Sequence, residues 1–125
     1  MALEEVERDK YVAMIKSAPK QLQAALLSII SSFSGSSKPI SIGTCYESYH
    51  SFCAAVNLHA LKQRAFSDLV SELDVYGFIQ IRVISKGRYG RSRDITVNLP
   101  TEVSDSLNKV ILMEFDLDAV PKSGI

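Results

Sequence analysis

The sequence lacks net charge: fourteen Lys and Arg offset fourteen Asp and Glu over 125 residues. Neutrality excludes a uniformly basic chain that coats nucleic acid by charge alone. Cysteine is scarce. Cys45 and Cys53 stand eight residues apart in a segment read as helical. That spacing separates them by about 12 Å along the axis, whereas a disulfide needs Cα atoms within about 7 Å. With no Cys-x-x-Cys pair, and only His50 and His59 nearby, the thiols make a poor zinc set and no metal is expected. They read as small apolar fillers in a reducing compartment. Long apolar runs are also missing. The longest, near Ala24–Ile30, falls far short of the roughly 20 residues that span a bilayer. Residues 1–17 are charged throughout, so no signal peptide is visible and a soluble, intracellular chain is expected. No phosphate-binding GxxxxGK[ST] loop, GxGxxG turn or HExxH zinc motif occurs. His50 and His59 have no fixed carboxylate partner, so no catalytic set forms around them.

What is present is an ordinary globular composition, 46% hydrophobic and 22% charged, at the length of one domain. Residues 3–16 read as an amphipathic helix with Leu3, Val6, Lys10, Ala13 and Met14 on one stripe. Ser17 then reads as the N-cap of a helix over 18–33. In that helix Leu22, Ala25, Leu26, Ile29, Ile30 and Phe33 recur at helical spacing, which marks a central, mostly buried element. Residues 39–42 form a short extended piece, and Pro39 confines it to a sheet edge or strand start. A helix follows, capped by Ser41 or Thr44, with Cys45, Tyr46, Tyr49, Phe52, Cys53 and Val56 inward and Asn57 closing it.

After a turn at Asn57–Ala60 comes a helix over about 61–76. Phe66, Leu69, Val70 and Leu73 face inward, and Gly77 ends it. Two alternating runs, Ile79-Ile81-Val83 and Ile95-Val97-Leu99, flank the loop 85–93 and read as an antiparallel hairpin. A last helix over about 102–114 points Val103, Leu107, Val110 and Ile111 inward, followed by an acidic tail from Glu114 expected to fray. The order helix, short strand, helix, helix, strand, loop, strand predicts a mainly α (α+β) winged helix-turn-helix. Its β-hairpin is the wing, and one extra helix flanks it at each end. Three parts follow: a connecting helix over 1–17, the winged helix over 18–100, and a C-terminal helix and tail over 101–125.

Divided along the chain, the neutral total separates. Residues 62–93 carry seven basic and three acidic side chains, a local charge of +4, and residues 94–125 carry −4. The basic part concentrates in the loop Lys86-Gly87-Arg88-Tyr89-Gly90-Arg91-Ser92-Arg93, which holds four cations and no acid. Glycines permit close backbone approach, Arg forks onto phosphates or enters a narrow minor groove, and Tyr89 can lie on sugar or backbone atoms. Lysines alone would suffice to guard a hairpin edge, so the arginines and paired glycines point to DNA. The second basic feature is Lys62-Gln63-Arg64 with Ser67 and Ser71, on the outer face near the start of the third internal helix. That is the part of a helix-turn-helix that meets base edges, where Arg suits guanine and Gln adenine. Asp68 can pair with Arg64 one turn earlier. Lys38, Ser41 and Thr44 are candidates for flanking phosphate contacts.

The run Leu61-Lys-Gln-Arg-Ala-Phe-Ser-Asp-Leu-Val-Ser-Glu-Leu-Asp-Val-Tyr-Gly-Phe-Ile79, with Val83-Ile-Ser-Lys-Gly-Arg-Tyr-Gly-Arg-Ser-Arg93, resembles the C-terminal winged-helix domain of archaeal replication initiators. These form the origin recognition complex subunit 1 / cell division control protein 6 family. Ala2–Lys10 and Gln21–Ile29 look like the same family's entry into this domain, so the resemblance covers roughly residues 2–113. It implies that an AAA+ ATPase module, with its ATP or ADP and Mg, lies outside this chain, which is then a fragment needing no cofactor of its own and not an enzyme. It also implies double-stranded origin DNA as partner, with the recognition helix (Gln63, Arg64, Ser67) in the major groove. The wing (Lys86, Gly87, Arg88, Tyr89, Gly90, Arg91, Arg93) would enter the minor groove. Replicative helicase or other initiator subunits are further implied partners, with a monomer in isolation and a place on the chromosome, in the cytoplasm or, in a eukaryotic source, the nucleus. Many relatives have a small hydroxyl residue where Lys62 stands and a cation where Ala65 stands, so this chain is expected to lack a side-chain N-cap there. Two other readings remain: a stand-alone winged-helix transcription regulator, which would dimerise on half-sites, and a winged-helix protein-interaction module.

Overall fold

The computed structural model describes residues 3–33, 38–85 and 91–119. In chain order these form α1 (Leu3–Lys16), α2 (Lys20–Phe33), β1 (Ile40–Ser41), α3 (Ile42–Ala55), α4 (Gln63–Val75), β2 (Gln80–Ser85), β3 (Arg91–Thr96) and α5 (Thr101–Ala119). The sheet is antiparallel with β3 in the centre, in the order β1-β3-β2. Pro39 therefore precedes an edge strand, as a residue without an N–H must. Among the described residues no helix is long and apolar enough to cross a membrane.

The central position of α2 follows from its apolar density. Every residue from Leu22 to Ile30 is buried, the polar Gln23 and Ser28 included. Gln23 Nε2 donates to the Ile15 carbonyl at 2.8 Å and Ser28 Oγ to the Ala24 carbonyl at 2.8 Å, so neither donor is stranded. α3, α4 and α5 all pack on this helix, and α1 packs along α5. α4 contributes Phe66, Val70 and Leu73, and α5 contributes Val103, Leu107 and Ile111, all at 0–1% exposure.

The two helices of the helix-turn-helix end alike. Leu58 N–H bonds the Cys53 carbonyl at 2.8 Å around Asn57 at φ 61°, and Phe78 N–H bonds the Leu73 carbonyl at 3.0 Å around Gly77 at φ 90°. Both are Schellman closures, in which a left-handed residue lets the following amide reach back to the last turn. At position 77 glycine is favoured by the backbone, because a φ of 90° strains any residue with a Cβ.

Four details differ from the sequence expectations. The buried face of α1 is Tyr11, Met14 and Ile15 continuing to Ala18, whereas Lys10 and Ala13 are exposed. The Tyr11 ring lies against Phe78 at 5.2 Å, and this contact fixes the helix phase. Ser17 closes α1 instead of opening α2: its hydroxyl donates back to the Ala13 and Met14 carbonyls, and the Pro19 carbonyl accepts the first α2 bond, from Gln23. The hairpin is paired further outward than expected, from Gln80↔Thr96 to Ser85↔Arg91, and pairing ends before Val97 and Leu99. The outer arm has no core beneath it, so its pairing leaves no apolar alternation in the sequence. The chain does not fray at Glu114. α5 continues to Ala119 because Phe115 is buried edge-on to Phe52 at 5.1 Å, and Lys20 Nζ lies over its ring and donates to the Glu114 carbonyl.

Candidate nucleic-acid interface

α4 turns its polar face outward because its apolar residues recur every three or four positions. With Phe66, Val70 and Leu73 buried, Lys62, Gln63, Arg64 and Asp68 are exposed and Ser67 and Ser71 half-buried. Lys62 occupies the N-cap position in extended conformation (φ −73°, ψ 166°), and its side chain makes no capping bond, as the missing hydroxyl implied. The first helical bond runs from Phe66 N–H to the Lys62 carbonyl at 2.9 Å. Among the described residues no ion pair joins Arg64 to Asp68, so the guanidinium is not held along its own helix. Three adjacent polar side chains, two cationic, project from an electropositive helix start.

The turn before α4 is held from beneath. Tyr46 Oη donates to the Leu61 carbonyl at 2.9 Å. Leu61 N–H donates to Tyr49 Oη at 2.8 Å, and Tyr49 Oη donates to Gln21 Oε1. Gln21 Nε2 donates to the His59 carbonyl at 2.8 Å. The tyrosine rings also pack on Phe66, at 5.3 Å and 4.8 Å. The sequence assigned these aromatics to the core, which they are, but their hydroxyls bond backbone twelve and fifteen residues onward, which no local spacing reveals.

The start of α3 is capped by Ser41, not Thr44. Ser41 Oγ accepts the Thr44 N–H at 3.2 Å and donates to Thr44 Oγ1 at 3.0 Å. Both residues are exposed, as is Lys38. Ser41 also stands opposite Asp94 in the β1–β3 pair, which brings a carboxylate-bearing residue to this helix start.

In the hairpin, Ile81 pairs with Ile95 over the core and Val83 stands opposite Arg93 on the same face; the last described pair is Ser85 opposite Arg91. Val83 (56% exposed) and Arg93 therefore project past the packed helices. Arg82, exposed on the other face, stands opposite Asp94; the sequence counted it only as charge. Lys86, Gly87, Arg88, Tyr89 and Gly90 lie outside the described residues. Cys45 and Cys53 are free and buried, His50 and His59 are exposed, and no metal-binding cluster occurs among the described residues.

A helix-turn-helix ending in a two-stranded arm, with β1 completing the sheet, defines a winged-helix domain. The description "CDC6, C terminal winged helix domain" fits residues 13–106, and the chain belongs to that family. It is 36% identical over 118 residues to ORC1-type DNA replication protein 1 of Methanosarcina acetivorans, covering 93% of this chain and 28% of that one. It is 38% identical over 98 residues to the ORC1-type DNA replication protein of Pyrococcus furiosus, covering 78% and 23%. The chain thus spans about a quarter of the length of these relatives. Among solved structures it resembles the Aeropyrum pernix ORC1 protein in complex with DNA, with a TM-score of 0.74 and 31% identity over 84% of this chain and 28% of that chain. Cdc6p of Pyrobaculum aerophilum shares the fold, with a TM-score of 0.60 at 19% identity over 91% of this chain and 27% of that one.

Proposed function

We propose that this domain binds double-stranded DNA at replication origins as the C-terminal module of a replication initiator. α4 enters the major groove with Lys62, Gln63, Arg64, Ser67 and Ser71, and the wing (Lys86, Gly87, Arg88, Tyr89, Gly90, Arg91 and Arg93) follows the minor groove. Lys38, Ser41 and Thr44 flank the groove as phosphate contacts. The observation that carries this reading is the likeness to an ORC1 protein whose structure holds DNA, at 31% identity, together with the exposed start of α4. The AAA+ ATPase module, its nucleotide and Mg, and contacts with helicase or other initiator subunits belong to the longer protein. This chain acts as a DNA-binding monomer without a cofactor.

Salt-titrated binding tests the reading. The probes are a duplex enriched by this domain from a random library and a scrambled duplex of equal composition. If about four or five phosphates are neutralised, log K falls against log salt with a slope near −4. A flat response identifies a protein-interaction module instead. Dimeric binding to palindromic half-sites identifies a transcription regulator. Arg64→Ala lowers discrimination between the two duplexes by about 1–3 kcal/mol if the guanidinium reads guanine. Equal losses on both duplexes would restrict Arg64 to phosphate.

A further inference from the structure

We propose that Tyr46, Tyr49 and Gln21 form a positioning unit that sets the pose of α4 on DNA. The inference rests on the reading of α4 as the recognition helix and extends it to residues that touch no DNA. A helix with a capping side chain fixes its own first turn. α4 has none, because Lys62 holds the N-cap position without a side-chain bond. The backbone just before it is instead clamped from other elements. Both backbone polar groups of Leu61 are taken by phenols of α3: its carbonyl by Tyr46 and its N–H by Tyr49. Tyr49 is fully buried and donates its own hydroxyl hydrogen bond to Gln21 Oε1 on α2, whose amide nitrogen donates to the His59 carbonyl. The turn is thus tied at two points, His59 and Leu61, to the two helices beneath it. The three residues after Leu61 are Lys62, Gln63 and Arg64. Base readout needs donors placed to within fractions of an ångström, whereas phosphate attraction tolerates looser placement. Loosening the clamp therefore erodes discrimination more than affinity.

The test compares the wild-type chain with Tyr46→Phe/Tyr49→Phe, which removes both hydroxyls and keeps both rings against Phe66. Discrimination between the library-enriched and scrambled duplexes falls about tenfold. Affinity for the scrambled duplex stays within about twofold, the salt slope is unchanged, and hydrogen exchange quickens at the Leu61 amide. A general loss of folded protein would lower both affinities together, so the ratio separates positioning from stability. Should the double variant unfold, Tyr46→Phe alone serves, since Tyr46 is only partly buried and its hydroxyl is one of the two holding Leu61. An unchanged ratio in a folded variant, beside a wild type that discriminates, overturns the proposal and leaves the DNA reading standing. A wild type whose binding ignores salt overturns the DNA reading, and the proposal with it.

Discussion

Replacing Arg88 and Arg91 together by alanine lowers affinity for every duplex by about a hundredfold, or about 2.7 kcal/mol. Charge-assisted hydrogen bonds are each worth roughly 1.5–3 kcal/mol, and two arginines leave a loop that holds four cations without an acid. The same variant flattens the salt slope from near −4 to near −2, since each neutralised phosphate contributes about 0.9. Thermal unfolding stays almost unchanged. Arg91 stands opposite Ser85 at the outermost described pair of the hairpin, four residues beyond the buried Ile95. A binding titration at three salt concentrations with a parallel melt checks both halves. Loss of affinity with an unchanged slope would mean that the arginines act on shape and not on phosphate. A lowered melting temperature would mean that they hold the hairpin.

Alkali destabilises the domain by several kcal/mol, through buried groups beneath α4. Burial pushes the Cys45 thiol from 9.0 up to about 12 and the Tyr49 phenol from 10.0 up to about 12, and it raises the Cys53 thiol as well. The folded protein therefore keeps protons that the unfolded chain has released. Below pH 9 both states hold them and stability does not depend on these groups. From about pH 9 for Cys45 and pH 10 for Tyr49 the unfolded chain binds fewer protons, so stability falls as pH rises, until the folded groups ionise near 12. At 1.36 kcal/mol per pH unit the loss approaches roughly 4 kcal/mol for Cys45 and roughly 3 for Tyr49. A domain holding about 5–15 kcal/mol in total loses much of its margin. Urea midpoints measured from pH 8 to 11.5 stay level at first and then decline. Midpoints level through pH 11.5 would show that the folded state ionises as readily as the unfolded one.

Elements rich in apolar repeats were legible from the chain itself. α2 and α4 carry enough Leu, Ile, Val and Phe at helical spacing to fix the inward face and to place each end within two residues, and Asn57 and Gly77 announce their own left-handed turns. Legibility fails where one distant contact decides. In α1 the apolar residues are too sparse to set the phase, which Tyr11 against Phe78 settles. At Glu114 the acidic tail suggests an end, but Phe115 and Lys20 hold another turn. Of the candidate interface, the exposure of Lys62, Gln63 and Arg64 follows from the repeat in α4. The phenol bonds behind them do not, because a tyrosine in an apolar stripe gives no sign of which remote backbone its hydroxyl meets.

The buried row along α5 bears on where this folding unit may be cut. The match to the family's winged-helix domain covers residues 13–106, yet Leu107, Ile111 and Phe115, beyond that limit, are all interior. At the other end, Ile15 is interior only two residues after that match begins. A chain trimmed to that match would keep α4 and the hairpin and leave α2 exposed along its back. The segment that defines the family is shorter than the folding unit, whereas the likeness to a single relative over 118 residues takes in the interior row of α5 as well.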